Sequence, residues 1–334
     1  MRIRNSICTW AYCTLNGLIL NLISFVRINN HSICVVIIRK IKMKLFRFVN
    51  NIFLFLTIFF PVMFTHVQAE PFNQADMNKI VLDDLSYKTV FRQLYSKKMN
   101  QIFLDDEAAI KLPHVGMKIG KDEYVALFHP IQLYKNAQNK NRYLIMIEFL
   151  EVNNGQVSNC HGCSTDADLY IFEKLENLSY RLVSKTESST NFGGSWGKSA
   201  LDIAKIAKSI KKVSTTDVGA FYEESGMHHG QKNTDLRLLL LFEDQYINVF
   251  DIAQISYDNN DDYGKDSPLA YSFKGKYKIK PDQSLTKLYP IQIVFSGFNN
   301  AGDNSEKIVK YNVINDYTFD PESSTYKLIS TKPY

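Results

Sequence analysis

Between Glu123 and Ser330 the chain is a succession of short apolar stretches joined by polar turns, and few of the gaps could hold a helix. The stretches include "EYVALFHPIQLY" (123–134), "YLIMIEFLEV" (143–152), "GAFYEESG" (219–226), "TDLRLLLLFED" (234–244) and "YINVFDIAQISYD" (246–258). "LAYSFKGKYKIK", "YPIQIVFSGF", "EKIVKYNVINDYTFD" and "TYKLIS" follow. Parallel strands need a crossover of a dozen or more residues, whereas antiparallel strands close through short turns. The missing crossovers therefore predict antiparallel connectivity. Asn153-Asn154-Gly155 marks one turn. "LYIFEKLENLSYRLVSKT" (169–186) is read as a hairpin around Glu176-Asn177. Leu169, Phe172, Leu175 and Leu178 also fit a helical period, but "YRLVSKT" continues as a strand.

Two segments break this pattern. In residues 75–102, Ile80, Val81, Leu85, Val90, Phe91, Leu94 and Tyr95 fall near helical spacing. "SALDIAKIAKSIKKV" (199–213) predicts a second helix with Ser199 as its N-cap. The expected fold is mainly β (α+β), an antiparallel strand-rich domain over 116–334 behind a short N-terminal helical region at 70–115.

Ahead of that region, residues 43–69 have the form of a secretory signal peptide. Lys44 and Arg47 form a short basic segment, and Ile52 to Phe64 is an apolar run too short for a comfortable membrane span. Val67 and Ala69 place small residues before a cut at Ala69-Glu70. Residues 1–42 read as an upstream extension from a start called too early; the alternative is a membrane anchor through residues 7–26. The expected compartment is periplasmic or extracellular. Eight of the 39 Lys and Arg lie in residues 1–69, which hold no Asp or Glu. From Glu70 onward 31 basic side chains face 34 acidic ones, a net charge of −3. That balance argues against nucleic acid, whose phosphates need clustered cationic surface.

Chemistry concentrates in "NCHGCSTDAD" (159–168). Cys160 and Cys163 are the two cysteines beyond residue 69, and in an oxidising compartment such a pair forms a disulfide. Closing so short a loop contributes only about 2 kcal/mol in the chain-entropy model, so the bridge stiffens a loop. A thioredoxin-like redox centre, with His161 lowering the pKa of Cys160, is the sharper alternative. It conflicts with the polar loop before the motif and the strand read after it. Covalent haem needs a histidine where Ser164 stands. A metal or redox set could draw on His161, Asp166, Asp168, His228 and His229. Adjacent ligands such as Cys160 and His161 rarely turn to one ion, and His228-His229 sits in an expected turn. Asp258, Asn260 and Asp262 alternate as in calcium loops, although Gly264 comes one place late and the distal glutamate is missing. No serine-hydrolase elbow, zinc-protease or phosphate-loop motif is present in the sequence.

The C-H-x-C loop, the "LYIF" strand, the G-S-W-G loop ahead of a helix and the turn glycines before an apolar strand together resemble a group of exported bacterial proteins of unknown function. The matching residues are Cys160, His161, Cys163, Gly194, Trp196, Gly197, Gly226 and Gly230, within 145–320. The resemblance departs at His229, where the group carries glutamine, and implies architecture and compartment without an activity. The expected function is a non-catalytic binding module with an envelope or extracellular partner and no cofactor. The alternative is a thiol-disulfide oxidoreductase or metal-binding protein using the same loop.

Overall fold

The computed structural model describes residues 71–282, 288–300 and 307–334. Residues 1–69, with the expected signal peptide and the upstream extension or alternative anchor, lie outside them. The expected helix over 75–102 is broken. Gln74–Asn78 (α1) and Tyr87–Tyr95 (α2) flank a two-residue strand, Val81–Leu82 (β1). Local caps and a distant partner explain the break. Asn73 Oδ1 accepts from Ala75 N (3.0 Å), Asp84 Oδ1 accepts from Ser86 N (2.7 Å), and Ser86 Oγ accepts from Thr89 N (3.4 Å). Between the caps, Val81 and Leu82 pair with Arg181 and Tyr180, so sheet pairing overrides helical period.

The first sheet continues with His114–Ile119 (β2), Asp122–Phe128 (β3), Gln132–Lys135 (β4), Asn141–Asn153 (β5) and Gln156–Val157 (β6). Asp166–Lys174 (β7), Tyr180–Lys185 (β8) and Thr190–Asn191 (β9) complete it. Its order is β1-β8-β7-β5-β3-β2, every pair antiparallel, with β4 and β6 on β5 and β9 on β7. Asn154 and Gly155 turn β5 into β6 at φ 51° and 82°. β5 is apolar without alternation because both its faces are buried. Ile145, Ile147 and Phe149 pack under α2, while Leu144 and Met146 face the opposite way.

Gly194–Ser195 (β10) and Lys198–Ser199 (β11) form a separate small hairpin. The helix after it, Ile203–Ser209 (α3), is shorter than the 199–213 expected, and Asp202 rather than Ser199 caps it. Asp202 Oδ1 accepts from Lys205 N (3.1 Å), while Ser199 donates its N–H to Glu148 (2.7 Å) and so stays in the hairpin.

The second sheet comprises Lys211–Lys212 (β12), Val218–His228 (β13), Gln231–Leu240 (β14) and Asn248–Asp258 (β15). After a helical turn, Asn260–Tyr263 (α4), come Ser272–Ile279 (β16), Ile291–Asn300 (β17), Ile308–Lys310 (β18), Val313–Asp320 (β19) and Thr325–Pro333 (β20). Its antiparallel order is β12-β13-β14-β15-β16-β17-β19-β20, with β18 on β17. The sheet curls until β20 lies against β15. Phe221, Leu238, Leu240, Ile293, Phe295 and Tyr326 fill its inside. Its outer face presents Ala220, Tyr222 and Leu239 to Leu144, Met146, Leu169 and Ile171 of the first sheet, with Ile203 and Ile206 of α3 in the same core. Buried Arg142 clamps the sheets together through Glu243 (2.8 and 2.7 Å). Among the described residues no helix is long and apolar enough to cross a membrane. The mainly β, antiparallel reading holds.

Two outcomes follow. Leu169→Ala empties space in the layer between the sheets and lowers unfolding free energy by about 2–5 kcal/mol in urea titrations. Asp316 accepts from Lys280 Nζ (3.0 Å), Gln292 Nε2 (2.7 Å) and Ser330 Oγ (3.0 Å). Lys280 and then Gln292 hold its carboxyl down to about 2. A carboxylate lowered in the native state stabilises it above the unfolded value of about 3.9 and loses that contribution as pH falls through the folded value. Acid unfolding of Asp316→Asn followed by circular dichroism is therefore flatter than wild type between pH ~4 and ~2.

Candidate functional site

The loop carrying the two cysteines has little apolar core of its own, and three covalent or polar ties order it. Cys160 and Cys163 are joined by a disulfide across a Cα separation of 5.2 Å. Cys163 N donates to Cys160 O (3.1 Å), closing a turn inside the bridge. Gly197 N of the β10–β11 hairpin donates to Cys163 O (2.8 Å), so the two glycine-bearing loops form one unit. Gly197 must be glycine on two counts. Its φ is +65°, and a Cβ would collide with the Ser158 carbonyl oxygen.

Trp196 precedes it at φ +58°. Two successive left-handed residues belong to the tight hairpin turns that normally take Asn-Gly. For tryptophan the left-handed region costs roughly 1–2 kcal/mol. The ring is not buried in return: Trp196 is 55% exposed. Its main ring contact is His161, edge-on at 4.8 Å between centroids and 89° between planes. The disulfide loop thus supplies a brace for an indole held out in solvent at a conformational cost.

Beside this pair a cleft of about 570 Å³ opens toward the outer ends of β13 to β16. Ser225 and Gly226, Asn233 and Thr234, Ser256 and Tyr257, and Ser272 and Lys274 line it strand by strand, opposite His161, Gly162 and Trp196. Most of its charge is matched within the protein. Lys232 pairs with Asp261 (2.5 Å), a contact that raises the lysine pKa, and Asp258 Oδ1 accepts from Asn260 N (2.9 Å) and Nδ2 (2.7 Å). Tyr257 stacks on Tyr271 at 5.1 Å and donates its hydroxyl to Gln231 (2.9 Å). Burial, then the neighbouring Tyr271, pushes its phenol up to about 12.

Of the residues expected at a metal or redox centre, only His161 reaches this cleft. Asp166 and Asp168 project from β7 on the face shared with Tyr170 and Phe172, because strand side chains alternate, and that face packs under α2. Asp168 is buried there, accepting from Tyr95 Oη (2.5 Å) and Tyr170 Oη (3.3 Å). Burial first, and the nearby carboxylate with it, drives both phenols well up. Asp168 therefore anchors α2 rather than joining His161. His228 and His229 sit at the tip of the β13–β14 hairpin, rings 4.1 Å apart, and do not line the cleft. The calcium-like alternation of Asp258, Asn260 and Asp262 falls on the start of α4 instead of a ligand loop. Asp258 caps Asn260, and Asp262 Oδ2 accepts from Gln231 Nε2 (2.9 Å), so the oxygens do not converge. Among the described residues no group of three or more His, Cys, Asp or Glu is arranged to hold a metal ion.

One buried acid escaped the sequence reading. Glu148, within apolar β5, accepts from Ser199 N (2.7 Å) and bonds His129 Nε2 (2.8 Å), tying the foot of the Trp196 hairpin to the first sheet. A lone carboxylate inside "YLIMIEFLEV" was its signal, since such a group stays in a core only when matched. No described hydroxyl bonds the His129 ring. Comparison of the chain with known families, curated proteins and solved structures finds no match.

Trp196→Asn places the residue this turn prefers and holds or raises the Tm, whereas Gly197→Ala costs more than about 1 kcal/mol in the same thermal melts.

Proposed function

We propose that this chain is an exported, non-catalytic binding module whose ligand site is the cleft between the disulfide loop, the Trp196 hairpin and the outer ends of β13 to β16. The observation that carries the reading is Trp196, exposed at a strained turn position and braced by His161. Strain kept at an exposed aromatic points to use rather than packing. The cleft volume lies in the range of small-ligand sites, about 300–1,000 Å³. The Cys160–Cys163 bridge acts as a staple that holds the brace. Export is supported by the signal-like segment 43–69 and by the cysteine pair, and the resemblance to exported bacterial proteins points the same way. The second reading, a thiol-disulfide oxidoreductase, draws on the exposure of Cys160 beside His161.

A thiol–disulfide titration separates the two. A structural staple resists reduction, with a potential below about −300 mV, while a value between roughly −120 and −230 mV belongs to catalytic dithiols and would replace binding by redox chemistry. In exporting cells, intact-mass measurement of the released chain gives Glu70 as its first residue; a chain retained with residues 1–69 argues for the anchor.

A further inference from the structure

The geometry points to a neutral carbohydrate as the ligand of the cleft, with one sugar ring lying on the face of Trp196. This rests on the binding reading above and goes beyond it by naming the ligand class. A pyranose offers two different surfaces, a face of C–H bonds and a rim of hydroxyls. The cleft offers the complement of each. The C–H face suits a flat, electron-rich ring exposed to solvent, and Trp196 is 55% exposed. His161 packs perpendicular to that indole, which steadies the ring plane while the residue stays more than half exposed. The hydroxyl rim suits short donor–acceptor groups, and Ser225, Asn233, Thr234, Ser256 and Ser272 supply them from four neighbouring strands. Gly162 leaves its part of the wall open, with nothing within 4 Å of where a Cβ would stand, so a ring can approach the backbone there.

Charge selects against the competing classes. A phosphate or polyanion needs unmatched cations, preferably arginine forks. Here Lys232 is committed to Asp261 and Asp258 to Asn260, and among the described residues no arginine lines the cleft and Lys274 is the remaining cation. An apolar peptide or acyl chain needs a continuous greasy floor, and here the hydroxyls of Ser225, Thr234, Ser256 and Ser272 interrupt the apolar surface of Trp196, Met227 and Tyr257.

The test uses the full chain with Trp10→Phe, which leaves Trp196 as the sole indole. Cello-, chito-, manno- and malto-tetraose are titrated while tryptophan emission is followed, beside a panel of acidic glycans. The expected result is a saturable change in Trp196 emission with at least one neutral tetrasaccharide. Its Kd shifts less than about twofold between 0.05 and 0.5 M salt, as an uncharged ligand requires. Trp196→Asn, read by calorimetry, weakens binding at least tenfold without lowering the Tm, and Trp196→Phe recovers part of the loss. Binding by acidic glycans alone, salt-sensitive binding, or full affinity in Trp196→Asn overturns the inference. So does silence across the panel. If the Tm of the same protein then rises with a non-carbohydrate ligand and this rise needs Trp196, the binding reading stands while the sugar is wrong. If no ligand class raises the Tm and the cysteines titrate in the catalytic range, both fall.

Discussion

Burial of β5 on both faces is the constraint on which the rest of the chain depends. A sheet with two dry faces needs a cover on each side. α1 and α2 cover Ile145, Ile147 and Phe149; α3 and the second sheet cover Leu144 and Met146. The second sheet repeats the problem, since β14 turns Leu239 toward the first sheet and Leu238 and Leu240 inward. It answers by curling over itself rather than by recruiting more helices. Each buried aliphatic side chain contributes roughly 1.5–3 kcal/mol of transfer free energy. The charged groups admitted to these layers are matched, Glu148 by Ser199 and His129, Asp168 by two phenols and Arg142 by Glu243, whereas the Tyr134 hydroxyl between the sheets has no hydrogen-bond partner among the described residues.

The cleft lies where this apolar content ends. β13 begins buried at Val218 and becomes mostly exposed from Glu223 on, so its hairpin with β14 outruns the core beneath it. Backbone pairing keeps the strands together there, but nothing apolar holds the loops that face them. A disulfide, a glycine approaching a carbonyl and two backbone hydrogen bonds take over that task. Short covalent closure suits such a place, because it limits motion without demanding buried area.

The strands were legible because period and turn chemistry are local. Asn154-Gly155 marks a hairpin by conformation alone, and the matches at β13 to β20 needed no partner to be read. The helical misreading at 75–102 had the opposite origin. Val81 and Leu82 fit a helical face, and what takes them out of it is Arg181 and Tyr180, far along the chain. Ser199 was misread as a cap for a similar reason, since its N–H answers to Glu148. The site divides the same way. Cys160, His161 and Trp196 stood out as residue types, while Thr234, Ser256 and Ser272 are ordinary strand serines and threonines until register sets them side by side. Asp168 looked like chemistry because it stands near the cysteines in sequence; strand alternation puts it on the other side of a sheet.

The pairing of β1 with β8 also has a temporal meaning. The chain is made from its N-terminus, so Val81 and Leu82 exist long before Tyr180 and Arg181. Until β8 arrives β1 has no strand to pair with, whereas the amphipathic face of α2, with Val90, Phe91 and Tyr95, already has Phe128 of β3 and Phe149 of β5 to close on. The second sheet is different: β13 to β17 each pair with the next strand, and such local pairings form with little loop-closure cost. β1 is thus made early and bound to wait for a strand a hundred residues behind it, while α2 beside it settles on strands that arrive much sooner.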